Sequence, residues 1–350
     1  MKKAIWGAAL AALATIGLTA CGESGTSGGG AARQQIRIVG SSTVYPFTRA
    51  VAERFGQASG TSPIVESTGT GGGINDFCSG VGANHPDIVN ASRRMKASEL
   101  ETCNRNGVTR VIEIPVGIDG LTLIESAQRP TGFQLTTRDV YAALAANPFG
   151  RAQRAQTWRD VNPSLPAVPI RVYGPPPTSG TRDSFAELIL EKGCATDPAM
   201  EQLKEQDSDR HKQVCTQLRE DGAYVEAGED DNLLVQRVSD NQGWIGVLGY
   251  SFLQANQQRL RGIPIGGVAP TAATISDLSY PGARQLYIYV KGEHLDVIPG
   301  LREFLAEYAR GWAPGGYLSQ QGMIPSSAEV MARAAAQIRN PRPLTAADLR

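Results

Sequence analysis

Short apolar runs alternate with segments of helical periodicity along most of this 350-residue chain. The first run, residues 36–39, predicts a β-strand, and residues 44–55 after it carry apolar side chains at helical spacing. The alternation continues and predicts βαβ units with a mainly parallel sheet, an α/β fold. The other predicted strands are residues 63–67, 87–91, 108–116, 121–124, 170–173, 244–247 and 286–290.

The N-terminus has the pattern of an exported lipoprotein. A basic start and an apolar stretch over residues 4–18 lead into Leu18-Thr19-Ala20-Cys21, a small-residue cleavage site. We expect residues 1–20 to be a signal peptide, Cys21 to carry a lipid anchor and residues 21–34 to form a flexible tether. An ordinary signal peptide or a membrane-spanning helix is the alternative, although a span needs about 20 residues. The expected location is the periplasmic face of the cell envelope.

Four cysteines remain after Cys21. An exported chain sits in an oxidising compartment, where an even number of cysteines favours disulfides. Their positions along the chain favour the pairs Cys78–Cys103 and Cys194–Cys215. A zinc site is the alternative, but there is no C-x-x-C pair and the three histidines are scattered, so we expect no metal.

The charge balance argues against nucleic acid as a partner. The full chain has 34 basic and 34 acidic residues, and removal of residues 1–20 takes away two lysines, which leaves 32 against 34. No basic patch is visible in the sequence. The remaining 330 residues (350 − 20) are enough for two domains of ordinary size.

Three turns rich in glycine and hydroxyl residues follow predicted strands. They are residues 40–43 (Gly-Ser-Ser-Thr), 68–73 (Thr-Gly-Thr-Gly-Gly-Gly) and 178–181 (Thr-Ser-Gly-Thr). Where a turn leads into a helix, the first N–H groups lack partners and the helix dipole favours an anion. Each turn alone is equally explained as a helix cap or a flexible loop. Together, at the carboxyl ends of strands, they predict a site for a small oxyanion.

Other functions of these turns fit the residues less well. Residues 68–73 lack the spacing of a dinucleotide-binding loop, and no G-K-[S/T] sequence occurs anywhere. Neither serine-containing turn forms the G-x-S-x-G elbow of a serine hydrolase, and none of the three histidines is placed as its base. We therefore expect no cofactor and no enzymatic activity.

Taken together, the turns resemble those of the phosphate-binding proteins of bacterial phosphate ABC importers. The resemblance covers residues 36–324 and includes Asp-Ile-Val-Asn-Ala-Ser at 87–92 and Gly-Trp-Ile-Gly at 243–246. It implies a two-lobed periplasmic-binding-protein fold of type II, each lobe a mainly parallel sheet flanked by helices, with a two-strand hinge. Lobe 1 is expected at residues 35–124 plus 269–338, lobe 2 at 125–268, and a frayed tail at 339–350.

The resemblance also implies a function and partners. The chain is expected to be a monomer that captures inorganic phosphate between its lobes and delivers it to an inner-membrane ABC permease. Another tetrahedral oxyanion, such as sulfate or arsenate, is the alternative ligand. An exported phosphate-ester hydrolase is the alternative from a different class.

Two departures from the family pattern affect the expected site. Family members have an Asp after the Ala-Ser strand end, where this chain has Arg93, and an Arg-x-Asp pair before Ser-Gly-Thr, where it has residues 174–177, Gly-Pro-Pro-Pro. We therefore predict Arg93 as the main cationic contact, with Arg182 as a weaker candidate. The ligand proton would be accepted by Asp119, Glu66, Asp183 or a backbone carbonyl. The remaining expected contacts are Ser42, Thr43, the Val44 backbone, Thr70, Gly71, Ser179, Gly180 and Thr181.

Overall fold

A computed structural model describes residues 33, 35–228, 231–313 and 315–349. The signal peptide, Cys21 and all of the tether except Arg33 lie outside the described residues. The described strands are β1 Arg37–Gly40, β2 Ile64–Ser67, β3 Ile88–Ala91, β4 Val111–Ser126, β5 Val172–Gly174, β6 Tyr224–Glu226, β7 Ile245–Gly249, β8 Leu260–Gly262 and β9 Ala283–Lys291.

Helices cover the sheet throughout the described part of the chain. They are α1 Tyr45–Ser59, α2 Thr70–Phe77, α3 Ala97–Arg105, α4 Thr137–Leu144, α5 Trp158–Val161, α6 Gly180–Phe185, α7 Glu191–Cys194, α8 Pro198–Gln206, α9 Ser208–Thr216, α10 Asp231–Asp240, α11 Tyr250–Ala255, α12 Ala272–Ser276, α13 Leu301–Gly311, α14 Tyr317–Gln320 and α15 Ala328–Arg339. A π-helical turn, Ala186–Leu190, joins α6 to α7. None of the described helices is long and apolar enough to cross a bilayer.

The strands form one sheet in the order β2-β1-β3-β9-β4-β7-β5-β6, with β8 also paired to β4. Strands β2, β1 and β3 are mutually parallel, as are β6, β5 and β7. Strand β9 is antiparallel to β3 and β4, and β4 is antiparallel to β7. Two parallel groups are therefore joined through the antiparallel pair β4–β9, which agrees with the predicted α/β class.

Strand β4 differs from the sequence prediction of two separate strands. It is one strand of 16 residues whose register against β9 shifts between Pro115 and Gly117. Pro115 cannot donate a ladder hydrogen bond, and a shift of this kind bends a strand without ending it. The sequence pattern therefore predicted two strands where the structure has one bent strand.

Buried apolar side chains form separate clusters along the β4–β9 pair. One cluster contains Ile118 and later residues of β4 together with helices α4–α12, and its last buried residue is Ala283. The others contain the earlier part of β4, the later part of β9 from Leu286, and helices α1–α3 and α13–α15. The packing therefore changes from one core to the other at about residues 117 and 285.

Both predicted disulfides are confirmed, Cys78–Cys103 and Cys194–Cys215. The second closes the segment that contains α8 and α9. The first joins the end of α2 to α3.

The prediction of a frayed C-terminal tail is wrong for the described residues. The Leu344 amide donates a hydrogen bond to the Val111 carbonyl at 2.7 Å, and Arg94 Nη1 donates to the Asp348 carbonyl at 2.6 Å. Leu344 and Leu349 also pack against a buried cluster. These two leucines dock the C-terminal segment, although its polar composition indicated a frayed tail.

Candidate functional site

The turn after β1 is held tightly against β3. Gly40 has φ of 124°, and a Cβ there would lie 2.2 Å from the Asn90 carbonyl oxygen, so only glycine fits. The Ser41 amide donates to that carbonyl at 3.0 Å. The chain then turns sharply and places the hydroxyls of Ser42 and Thr43 just before α1.

The second turn brings α2 onto the same strand ends. Gly73 packs on Gly40, since a Cβ on Gly73 would lie 2.4 Å from the Gly40 Cα. A Cβ added at Gly71 or Gly72 would meet no atom within 4 Å, so these two glycines border open space. Thr70, the first residue of α2, is buried and its Oγ1 lies 2.9 Å from Ser92 Oγ at the end of β3.

The third turn contacts the first directly. Ser179 caps α6, with its hydroxyl accepting a hydrogen bond from the Thr181 amide at 3.2 Å. A Cβ on Gly180 would lie 3.0 Å from the Ser42 carbonyl oxygen, so glycine permits this approach. Ser42 Oγ donates to the Asp183 carboxylate. The geometry therefore brings the first and third turns together, as the sequence predicts.

Arg284, near the start of β9, lies at the centre of these turns and is 8% exposed. Its Nη2 donates to Thr43 Oγ1 at 2.8 Å and to Ser184 Oγ at 2.6 Å. Its Nε donates to Asp119 Oδ2 at 3.1 Å, and its Nη1 pairs with the Glu187 carboxylate. We call Thr43, Ser92, Asp119, Ser184, Glu187 and Arg284 the Arg284 cluster.

Further hydrogen bonds join members of the Arg284 cluster to one another. Ser184 Oγ donates to Asp119 Oδ2 at 2.7 Å, and Ser92 Oγ donates to Glu187 Oε2 at 3.3 Å. Glu187 is presented by the π-helical turn, a distortion that recurs at functional sites. One guanidinium thus faces two carboxylates, so an added anion must either displace a carboxylate or donate a proton to it.

The other predicted charged contacts have their own partners. Arg93 forms a two-point ion pair with Glu99 at 2.7 and 2.9 Å, which is the main reason that the pKa of Arg93 is raised. The charge of Glu187 adds to that rise, and Arg93 directly follows Ser92 of the cluster in the chain. Arg182 donates to the Pro175 carbonyl at 3.2 Å and lies over the Tyr224 ring. Glu66 pairs with Arg37 at 2.9 Å.

Sequence reasoning named Asp119 and Asp183 but missed Arg284, Ser184 and Glu187. A usable signal existed for Arg284, because a charged residue stands at the start of the apolar run Ala283–Lys291. A buried charge in a strand needs partners, so such an arginine is a site candidate. Glu187 gave no such signal, because its placement depends on the π-helical turn.

The histidines lie at other places in the described structure. His85 Nδ1 lies 2.9 Å from Ser79 Oγ, and His294 Nδ1 lies 2.7 Å from Asp87 Oδ1. His211 has ligand-type atoms within 4.8 Å of Cys194 and Cys215. Both of those sulfurs are in the disulfide, so they are not thiolate ligands for a metal.

A polar cluster where two α/β cores meet at strand ends defines a solute-binding protein rather than a structural module. The sequence supports this class, since residues 25–310 match the model of the PBP superfamily domain. The chain therefore belongs to the PBP superfamily.

Similar proteins share most of the chain. Protein SphX of Synechococcus elongatus is 34% identical over 89% of this chain and 83% of its own length. The phosphate-binding protein PstS of Staphylococcus saprophyticus is 29% identical over 83% of this chain and 81% of its own. A crystal structure of a "possible phosphate binding protein" from Planctomyces limnophilus aligns with TM-score 0.71 and 26% identity over 88% of this chain and 98% of that one.

Proposed function

We propose that this chain captures inorganic phosphate in the cleft at the Arg284 cluster and delivers it to an ABC permease of the inner membrane. The observation that carries the proposal is the convergence of the Thr43 and Ser184 hydroxyls on the buried guanidinium of Arg284, with the Ser92 hydroxyl joined to it through Glu187. The relatives named for phosphate binding support the choice of ligand.

The proposed site joins the predicted turns to the cluster. Thr43, Thr70 and Ser92 would contribute from one core, and Ser184 with the Ser179–Thr181 turn from the other. Gly71 and Gly72, which border open space, would let the anion approach the start of α2. A phosphate in this place would bridge both cores, and we propose that these cores are lobes which close on the ligand. The change of packing at about residues 117 and 285 supports a hinge in β4 and β9.

The proposed selectivity rests on the two carboxylates that contact Arg284. A hydrogen phosphate can donate its proton to Glu187 or Asp119, whereas sulfate is fully ionised and would meet an unpaired negative charge. Glu187 is the stronger candidate, because it also accepts from Ser92 and so touches both sides of the cleft. Glu187 or Asp119 would then accept the ligand proton in place of the Asp that family members have at the position of Arg93.

We propose binding without catalysis. A hydrolase with a histidine base needs that base beside the phosphate. The hydrogen-bond partners of His85 and His294 lie outside the cluster, and His211 lies beside the Cys194–Cys215 disulfide. Export and lipidation at Cys21 belong to the same proposal, with the protein held at the periplasmic face of the envelope as a monomer. The sequence pattern of residues 1–21 supports that location.

Calorimetry tests the proposal. Protein unfolded in guanidinium, dialysed free of ligand and refolded is titrated with phosphate, arsenate and sulfate. We expect one site, comparable affinity for phosphate and arsenate, and sulfate at least about 100-fold weaker, since a buried unpaired charge costs a few kcal/mol. Absence of heat with phosphate, or equal affinity for sulfate, contradicts the proposal.

A further inference from the structure

A second cavity of about 800 Å³ lies between the sheet and the C-terminal helix. One wall is the β4–β9 pair, represented by Pro115, Gln285 and Tyr287, and the facing wall is α15. Its volume is in the range of pockets for organic ligands, whereas a phosphate ion needs far less space. The proposed function uses none of its lining residues.

Two charged residues on the floor of this cavity, Arg94 and Glu113, are paired with each other. Arg94 donates to both oxygens of Glu113 at 2.7 to 3.1 Å and to the Asp348 carbonyl. Glu113 also accepts from Tyr289 at 3.0 Å, and the Tyr289 ring stacks on Tyr287. The floor therefore offers an aromatic surface, with Arg94 and Glu113 neutralising each other and the Asp348 carboxylate bonded to Thr345.

The cations lie on α15 and just after it. One stripe of α15 lines the cavity at helical spacing with Val330, Arg333 and Gln337, and Asn340 and Arg342 follow the helix. Arg333 has an exposed pair with Glu329 at 3.6 Å, which contributes little. Within the described residues, no carboxylate pairs with the side chain of Arg342, which also lines the cavity.

Leu278 places an apolar side chain at the edge of the cavity, and its backbone conformation is strained. Its φ is 63°, a value that leucine rarely adopts, and its side chain is 43% exposed. A strained residue that holds a large apolar side chain in solvent at the edge of a cavity is a candidate ligand contact.

We propose that this cavity binds an amphipathic organic anion. The apolar body would lie against Tyr287, Leu278 and Val330, and the anionic group would pair with Arg333 and Arg342. The site is separate from the Arg284 cluster, since β9 directs Arg284 to the cluster and Gln285 to this cavity.

The test uses 8-anilinonaphthalene-1-sulfonate, an aromatic sulfonate whose fluorescence rises on leaving water. We expect one saturable site that excess phosphate does not displace. Ala336→Trp, which fills the cavity from α15, should weaken binding at least about tenfold, whereas Ala332→Trp on the same helix, outside the lining, should bind as wild type.

A second variant removes the cations and leaves the cavity open. Arg333→Gln combined with Arg342→Gln should weaken binding at least about tenfold, because two charge-assisted contacts are lost. Each variant is checked for unchanged phosphate affinity, which shows that it is folded. Failure of the wild type to saturate, displacement by phosphate, or equal binding by both tryptophan variants would overturn the proposal.

Discussion

Arg284 and Thr43 meet at 2.8 Å although 241 residues separate them in the chain. Arg284 Nη2 donates to the threonine hydroxyl, and the same nitrogen reaches Ser184 on α6. A residue at the start of β9 thereby ties the turn before α1 to the helix after Ser-Gly-Thr. The arrangement leads to predictions in which Arg284, rather than the exposed arginines, governs binding.

Arg284→Ala should weaken phosphate binding by about two orders of magnitude or more, since a charge-assisted contact in a closed cleft is lost. Arg284→Lys should recover only part, because the planar fork is lost. Calorimetry of both variants, with a thermal melt to verify folding, measures this. Arg93 is the matched comparison, because the sequence favours it as the cation while its guanidinium is paired with Glu99. If Arg93→Ala loses more phosphate affinity than Arg284→Ala, the main cationic contact is Arg93 and not Arg284.

Glu187→Gln should reduce the preference for phosphate over sulfate by at least about tenfold. The amide can donate a hydrogen bond to a fully ionised anion, so the penalty against sulfate disappears. The control is Glu191→Gln, one turn further along, where burial raises the pKa of the carboxyl but no hydrogen bond reaches the Arg284 cluster. An unchanged ratio of phosphate to sulfate affinity in Glu187→Gln would remove Glu187 and leave Asp119 as the acceptor.

The sequence was informative where function depends on local turns and uninformative where it depends on long-range packing. The strand ends, the glycines at 40, 69 and 73 and both disulfides follow from local chemistry or from proximity in the chain. The role of Arg284 depends on the register of β9 against β4 and β3, which no local pattern specifies. The docked tail depends on a groove that only the folded sheet creates.

Cys194→Ala combined with Cys215→Ala should lower the free energy of unfolding by about 3 kcal/mol, because the disulfide closes a loop of 21 residues and restricts the unfolded chain. Urea denaturation measures the change. The companion variant, Cys78→Ala with Cys103→Ala, should lose a similar amount, since its separation is 25 residues. Stability unchanged in both variants would show that neither cross-link restrains the unfolded state.

Lys291 should make stability rise with pH in the mildly alkaline range. Burial lowers the pKa of this lysine from 10.5 to about 8, while Asp87 and Glu293 oppose the shift. Between these values the folded state has released the proton and the unfolded state still holds it, so the free energy of unfolding increases with pH. We expect a steeper rise between about pH 8 and pH 10.5 in the wild type than in Lys291→Met. Parallel curves for the two proteins would contradict the shift.

Cys21→Ser should release soluble protein from cells, because the lipid attaches to that sulfur in the proposed lipoprotein. Partition between detergent and aqueous phases distinguishes the two forms. Wild type should enter the detergent phase and the variant the aqueous phase. Identical partition would exclude a lipid at Cys21.

Arg33 is the first described residue. It binds at the ends of the strands that lie opposite the ligand turns. Its guanidinium contacts the Asp87 carboxylate and donates to the Ala83 carbonyl at 2.7 Å. Asp87 is fully buried and stands just before β3, whereas the turns at Gly40 and Ser92 follow the other ends of the parallel strands β1 and β3. In the proposed lipoprotein, a pull on the chain before Arg33 would therefore act first on the contact with Asp87, at the opposite end of β3 from Ser92.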